Sequence, residues 1–500
     1  MTFPWLTILG IIPLIGAAFM LFPVRLAARP VGLIVSFVTA AVGLAIGGMY
    51  LGGTTFLEQV PWIKTFGAWW SLRLDGMSLA MVLMTVILTP IVLVAERKLP
   101  ERIGRWSSAS FFGLVLLLES MSLFVFMADD VLLFYLFFEA TLIPVYFLIG
   151  GFGGAARRAA AMKFLLFSLA GGLVMLASVI GLYAVSASAG KPSYLITDLA
   201  ALHIDGTSGR WLMLGFLLAF IVKAPMFPVH TWLPEAAEQG TPGTSVLLVG
   251  VLDKIGTFGM IKFCLVLFPE ASRWVAPFMI GLALISIIYG AAAAFASKNL
   301  LRLIAYTSIS HFGMMVLGIY AFTSQSITGS IFYMLNHGFS IAALFLVVGF
   351  MIKRRGTAQI DAYGGVQKVA PLLAGSFLLA GLSGLALPGM STFISEFLVL
   401  AGTWTRFPWV AAVAALGVVM SAVYILSMYR RTMTGPLSAD VAKSFESDLS
   451  GSEKLVVLPL IAIILLLGFF PGRTVETMQP TADSVMKIVQ LSDPVPQAGK

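Results

Sequence analysis

The segment Phe220–Pro234 reads FIVKAPMFPVHTWLP. Its apolar residues suit a membrane-crossing helix, yet Lys223 stands among them and Pro225, Pro228 and Pro234 follow. Proline lacks a backbone N–H and clashes with the preceding turn. The segment therefore predicts a helix that breaks just past a buried lysine. Carbonyls freed inside a bilayer need partners, so such a break is tolerated only beside water or other protein. A broken helix with a buried charge is how many transporters build ion sites at the membrane midplane. Snorkelling of Lys223 to an interface fits poorly with its place near the centre of the span.

The rest of the chain has the same solvent. Of 500 residues, 59% are hydrophobic and 11% charged, where a soluble chain carries about 25% charged residues. Spans of about 20 apolar residues are expected near 3–22, 31–51, 77–95, 109–127, 131–150, 161–185, 211–234, 243–268, 275–296, 300–321, 327–352, 371–401, 409–429 and 454–470. The expected fold is an all-α polytopic membrane protein of about fourteen transmembrane helices. The N-terminal stretch lacks the basic region of a secretory signal and reads as a retained first span. GGFGG at 150–154 marks a helix end rather than a phosphate cradle. The formal net charge is +8, but the basic residues lie in short loops, which excludes a nucleic-acid-binding surface. The single cysteine, Cys264, reads as an apolar filler and leaves no route to a disulfide, an iron–sulfur cluster or a cysteine-based zinc site.

The basic residues concentrate in the odd-numbered connections between spans, for example Arg25 and Arg29, Arg97 to Arg105, and Lys353 to Arg355. The positive-inside rule then puts those connections in the cytoplasm and both termini outside. Of the basic residues, Lys223, Lys254 and Lys262 lie inside predicted spans and away from these connections.

An ionisable group at the bilayer centre costs roughly 2.5–3.5 kcal/mol on the mildest scale, so it marks a functional pathway. Glu139, five residues before Pro144, reads as a carboxylate paired to a buried cation. Lys254 follows Asp253, an accessory candidate, but successive helical residues point about 100° apart. Lys262 lies nearer a span end and is expected to snorkel. Glu396 follows a second break signal, Pro388 and Gly389, and echoes the Lys223 segment about five spans later. Two interrupted segments in corresponding positions are the mark of inverted repeats, here spans 4–8 and 9–13. The corresponding divisions are 1–108, 109–268, 275–432 and 433–500, the last a loop, a final span and a tail. His311 and His337 lie between the charged sites, with Thr307 and Ser308 on the His311 helix face. Histidine changes charge near neutral pH and can pass protons. His230 would share the Lys223 face were the helix unbroken. Asp129, Asp130 and His203 read as solvated loop residues. A Glu–Lys–Lys–His–His–Glu set in an apolar array spells a proton path, and no HxxxH spacing, nucleophile elbow or dinucleotide fingerprint competes with it.

KAPMFPVHTWLPEAAEQGTPGTSVLLVGVLDKIGTFG, with FFEATLIPVYFLIG, TSISHFG, LNHGFS and LPGMSTFISEF in order, resembles the antiporter-like subunits of respiratory complex I and of multisubunit cation/proton antiporters. The resemblance covers nearly the whole chain. It implies that Glu139 pairs with Lys223 on the broken helix 7, that Lys254 is the central relay, that His311 and His337 carry protons onward, and that Glu396 on the broken helix 12 lies on the outward route. Relatives such as complex I subunits L and N typically carry lysine where this chain has Glu396. The resemblance further implies other membrane subunits as partners, including neighbouring L and N, and flavin, iron–sulfur clusters and quinone held by partner subunits rather than here. A subunit of a sodium/proton antiporter, a membrane-bound hydrogenase subunit and a passive scaffold are the alternatives. Buried charges weigh against the last.

Overall fold

The computed structural model describes residues 3–21, 28–99, 102–103 and 106–494. Arg25 and Arg105, used above for orientation, lie outside the described residues. Ten helices among those described are long and apolar enough to cross a membrane. Shorter apolar helices, Trp5–Leu21 and Pro371–Gly384, stand beside them.

The axis of the molecule is Ser324–Arg355, a 32-residue helix buried along most of its length. At about 1.5 Å per residue it is longer than a bilayer core is thick. Its ends are written in the sequence. Thr323 and Ser326 form a reciprocal capping box at its start. Lys353, Arg354 and Arg355 fill the last turn, where cations suit the helix dipole, and Gly356 ends it at φ 77°. Leu300–Tyr320, Ser391–Arg406, Gly76–Ala95 and Pro242–Val246 pack around this axis. Helices farther out, such as Arg157–Ser188 and Pro408–Met433, leave Leu166, Leu173, Ile180, Leu416, Val419 and Val423 exposed, an apolar belt suited to lipid.

Both predicted breaks are present. One helix ends at Lys223 and the next begins at Trp232. The freed Val222 carbonyl accepts from the Trp232 indole at 3.1 Å, and the Phe227 amide donates to Ser286 at 3.0 Å. The second break separates Pro371–Gly384 from Ser391–Arg406. There Thr392 donates its hydroxyl to the Ser383 carbonyl, and Gly389 takes φ 93°. Backbone groups that would be orphaned in lipid thus find protein partners.

Several expectations need correction. The 131–150 span is present over 131–152, but a one-residue turn at Thr141, ahead of Pro144, divides it into Val131–Ala140 and Leu142–Phe152. The chain is not all-α: strands Phe56–Ile63 and Ala68–Leu74 form an antiparallel hairpin. Its Glu58 carboxylate accepts from the amides of Leu6 and Thr7 at 2.6 and 3.1 Å, which satisfies the start of the first helix from outside it. The C-terminal tail holds a further helix, Gly472–Ile488, that buries Met478, Ala482, Val485 and Met486.

Asp129 and Asp130 are not solvated but buried. Asp129 pairs with Arg73 at 3.0 Å, and Asp130 accepts from the Trp69 and Leu133 amides at 2.9 and 3.0 Å. Burial pushes the Asp130 carboxyl up to about 6, against the pull of those amides. His203 is exposed, as expected.

Candidate functional site: a line of buried ionisable groups

Lys223 is the last residue of Gly206–Lys223 and is 0% exposed. Its Nζ has no hydrogen-bond partner. It rests instead on the faces of Phe138 and Phe164, 5.1 and 5.7 Å from the ring centroids, where the ring quadrupole attracts a cation. Glu139 follows Phe138 and is half-buried. Its Oε1 is buried without a hydrogen-bond partner, so Glu139 and Lys223 interact through charge rather than a direct hydrogen bond.

The Glu139 carboxylate lies over Gly172. A Cβ there would meet Oε1 far inside contact distance and stand 2.7 Å from Cδ. Gly172→Ala therefore forces the carboxylate aside, which a flexible side chain allows.

Lys254 is also 0% exposed. Its Nζ donates to the Val249 carbonyl at 2.9 Å and lies 2.7 Å from His337 Nδ1. The Phe312 ring centroid is 4.5 Å away. When Lys254 is an ammonium, which has only donors, Nδ1 accepts and His337 carries its proton on Nε2. π-helical turns at Leu247–Leu252 and Met260–Leu265 bracket this segment, a feature frequent at functional sites.

From Lys254 the polar groups continue in ring contact, although His337 Nε2 and both His311 nitrogens make no hydrogen bond. The His337 and His311 rings meet edge to face at 5.3 Å, and His311 lies 5.6 Å from the Tyr333 ring. Tyr333 donates its hydroxyl to Glu396. Asn336 donates to the Ser391 carbonyl at 2.9 Å and to the Ser395 hydroxyl at 2.7 Å. Tyr333, Asn336 and His337 share one helix face by i, i+3, i+4 spacing. The second break thus brings Glu396 to the His337 face of the axial helix.

The structure does not bring every candidate to this line. His230 loses the Lys223 face because the helix ends first. It packs against Phe227 and Tyr289 instead, at 5.8 and 4.9 Å between ring centroids. Thr307 and Ser308 donate to the Leu303 and Ile304 carbonyls of their own helix. Lys262 has a buried Nζ without a partner and lines a cavity of about 540 Å³ with Arg73, Asp75 and Asp129. Sequence reasoning missed Tyr333, since tyrosine in an apolar run reads as core. It also passed over Glu119, buried with neither oxygen partnered, although LLLESMS carries the same signal as the other intramembrane charges. Among the described residues no group of three or more His, Cys, Asp or Glu is placed to hold a metal.

Residues 128–422 match the family described as NADH:quinone oxidoreductase/Mrp antiporter, TM. NADH-quinone oxidoreductase subunit M of Mycobacterium tuberculosis (strain H37Rv) is 44% identical, with 99% of this chain and 96% of the relative covered. NADH-quinone oxidoreductase subunit 13 of Thermus thermophilus is 36% identical over 88% of this chain and 90% of its own. A chain of respiratory complex I from Thermus thermophilus with bound NADH superposes with a TM-score of 0.88 at 32% identity, covering 97% of this chain and 99% of that one. A chain of the Mrp complex from a Dietzia species reaches 0.85 at 21% identity, covering 98% and 100%, which shows a shared fold alone. A family match over more than half the chain and relatives aligned nearly end to end place this chain in the NADH:quinone oxidoreductase/Mrp antiporter transmembrane family.

Proposed function

We propose that this chain is the proton-translocating membrane subunit M of an NADH:quinone oxidoreductase, the counterpart of mitochondrial subunit 4. The observation that carries the reading is the 44% identity to a named subunit M across 99% of the chain. Glutamate rather than lysine at 396 agrees with it. The chain performs no redox chemistry. Flavin, iron–sulfur clusters and quinone belong to partner subunits, among them membrane neighbours such as L and N.

In this mechanism, energy from electron transfer elsewhere reaches Glu139 as a shift of charge or conformation. The shift changes the field at Lys223 and sends its proton toward Lys254. Lys254 hands a proton to His337 across the 2.7 Å contact, and His311, Tyr333 and Glu396 carry it outward. The absence of a hydrogen bond at Lys223 supports a gap that opens and closes there. Fourteen spans, inverted repeats of spans 4–8 and 9–13 within 109–268 and 275–432, external termini and a bacterial plasma membrane location are parts of the same proposal. The two helix breaks, each beside a buried charge, support the repeat.

The test is isolation of the tagged chain in mild detergent from its own membranes. Flavin and iron–sulfur subunits of an NADH dehydrogenase are expected to copurify. Recovery with only cation/proton antiporter subunits, or with a nickel–iron subunit, would replace this reading with one of the alternatives.

A further inference from the structure

Among the described residues no side chain forms a hydrogen-bonded link between Lys223 and Lys254, yet one acidic group faces the gap. Gly256 packs directly on the end of the Lys223 helix. A Cβ at Gly256 would stand 2.5 Å from the Ala224 nitrogen and 2.5 Å from the Phe220 carbonyl oxygen. Residues 253 and 256 lie on one face by i, i+3 spacing, so Asp253 is carried on the face turned to the Lys223 helix. Lys254 is about 100° further round and reaches His337 on another side. Asp253 is 0% exposed, and both of its carboxylate oxygens lack a hydrogen-bond partner. Its charge interacts with both lysines. A buried carboxylate without donors is costly, and a structural counter-ion would be expected to be hydrogen-bonded to the cation it serves.

We propose that Asp253 is the proton carrier between Lys223 and Lys254. In the first step the Lys223 N–H bond breaks and an Asp253 O–H bond forms, leaving a neutral amine and a neutral carboxylic acid. In the second the Asp253 O–H breaks and the proton binds the neutral Lys254 amine, which restores the carboxylate. No oxidant or co-reactant is required. The inference rests on the proton-translocation reading and adds a carrier to it.

The test uses the assembled complex in inverted membrane vesicles. Asp253→Asn keeps the shape and removes the titrating group. It is expected to assemble at wild-type level and to lower NADH-driven proton uptake about 10²-fold, given what removal of a proton-transfer group costs. Asp253→Glu is expected to recover most of the uptake. Infrared difference spectra on NADH addition should show a protonated-carboxyl band that Asp253→Asn removes. A structural counter-ion would give no such band.

If Asp253→Asn pumps normally while Lys223→Ala does not, the carrier role is overturned and the translocation reading stands. If both pump normally, the translocation reading itself falls. Should the asparagine variant fail to assemble, the glutamate variant and the wild-type spectrum decide. Full assembly without pumping in the glutamate variant, or a wild-type spectrum without a carboxyl band, overturns the proposal.

Discussion

Lys223→Ala in the assembled complex is expected to lower NADH-driven proton uptake roughly 10²-fold, the lower end of what loss of a proton-transfer group costs. Assembly should survive. The Lys223 Nζ makes no hydrogen bond, so its removal breaks none, and it relieves the cost of holding a charge among Phe138 and Phe164. Lys223→Arg separates charge from chemistry. Guanidinium keeps the positive charge and the aromatic contact, but it does not release a proton in proteins. The arginine variant is therefore expected to assemble and to stay as inactive as alanine. Wild-type uptake and turnover in either variant would remove Lys223 from the pathway.

Gly256→Val is expected to abolish assembly. The atoms that a Cβ would strike are backbone, the Ala224 nitrogen and the Phe220 carbonyl oxygen, and cannot rotate away as a side-chain end can. Overpacking of this kind costs about 1–3 kcal/mol and occasionally more, against a total stability of about 5–15 kcal/mol for an ordinary domain. Here it also wedges apart the segments that carry Lys223 and Lys254. Gly281→Val is the control, because a Cβ there meets nothing within 4 Å. Native gels of solubilised membranes should show the complex lost in the first variant and unchanged in the second. Normal amounts of Gly256→Val complex would mean that these helices are not held as tightly as the structure has them.

The sequence carried the helix breaks because proline and glycine act locally. Pro225 with Pro228, and Pro388 with Gly389, are doubled break signals, whereas single prolines such as Pro90 and Pro277 stay inside continuous helices. It carried Lys223, Lys254 and Glu396 because charge inside an apolar run is rare enough to stand out. It did not carry which groups touch. The run from His337 to Tyr333 depends on the rotation of one axial helix, and the Tyr333–Glu396 contact on how the second break turns Ser391–Arg406. Asp129 and Asp130 misled for the same reason. They look like a solvated turn until the hairpin Phe56–Leu74 covers them, and a hairpin between two spans leaves only a short, mixed pattern. His230 was aligned with Lys223 on the assumption of a continuous helix, which the same prolines forbid.

The widened turns on either side of Lys254 store backbone in excess of an ordinary helix. That surplus is mobile in principle: passing it along by one position, as a wrinkle travels through a carpet, rotates the intervening residues by about 100° without melting the helix. Lys254 sits between two such wrinkles. A shift of either wrinkle by one position would carry its amine away from the histidine side, turning a displacement of backbone into a change of address for a single charge.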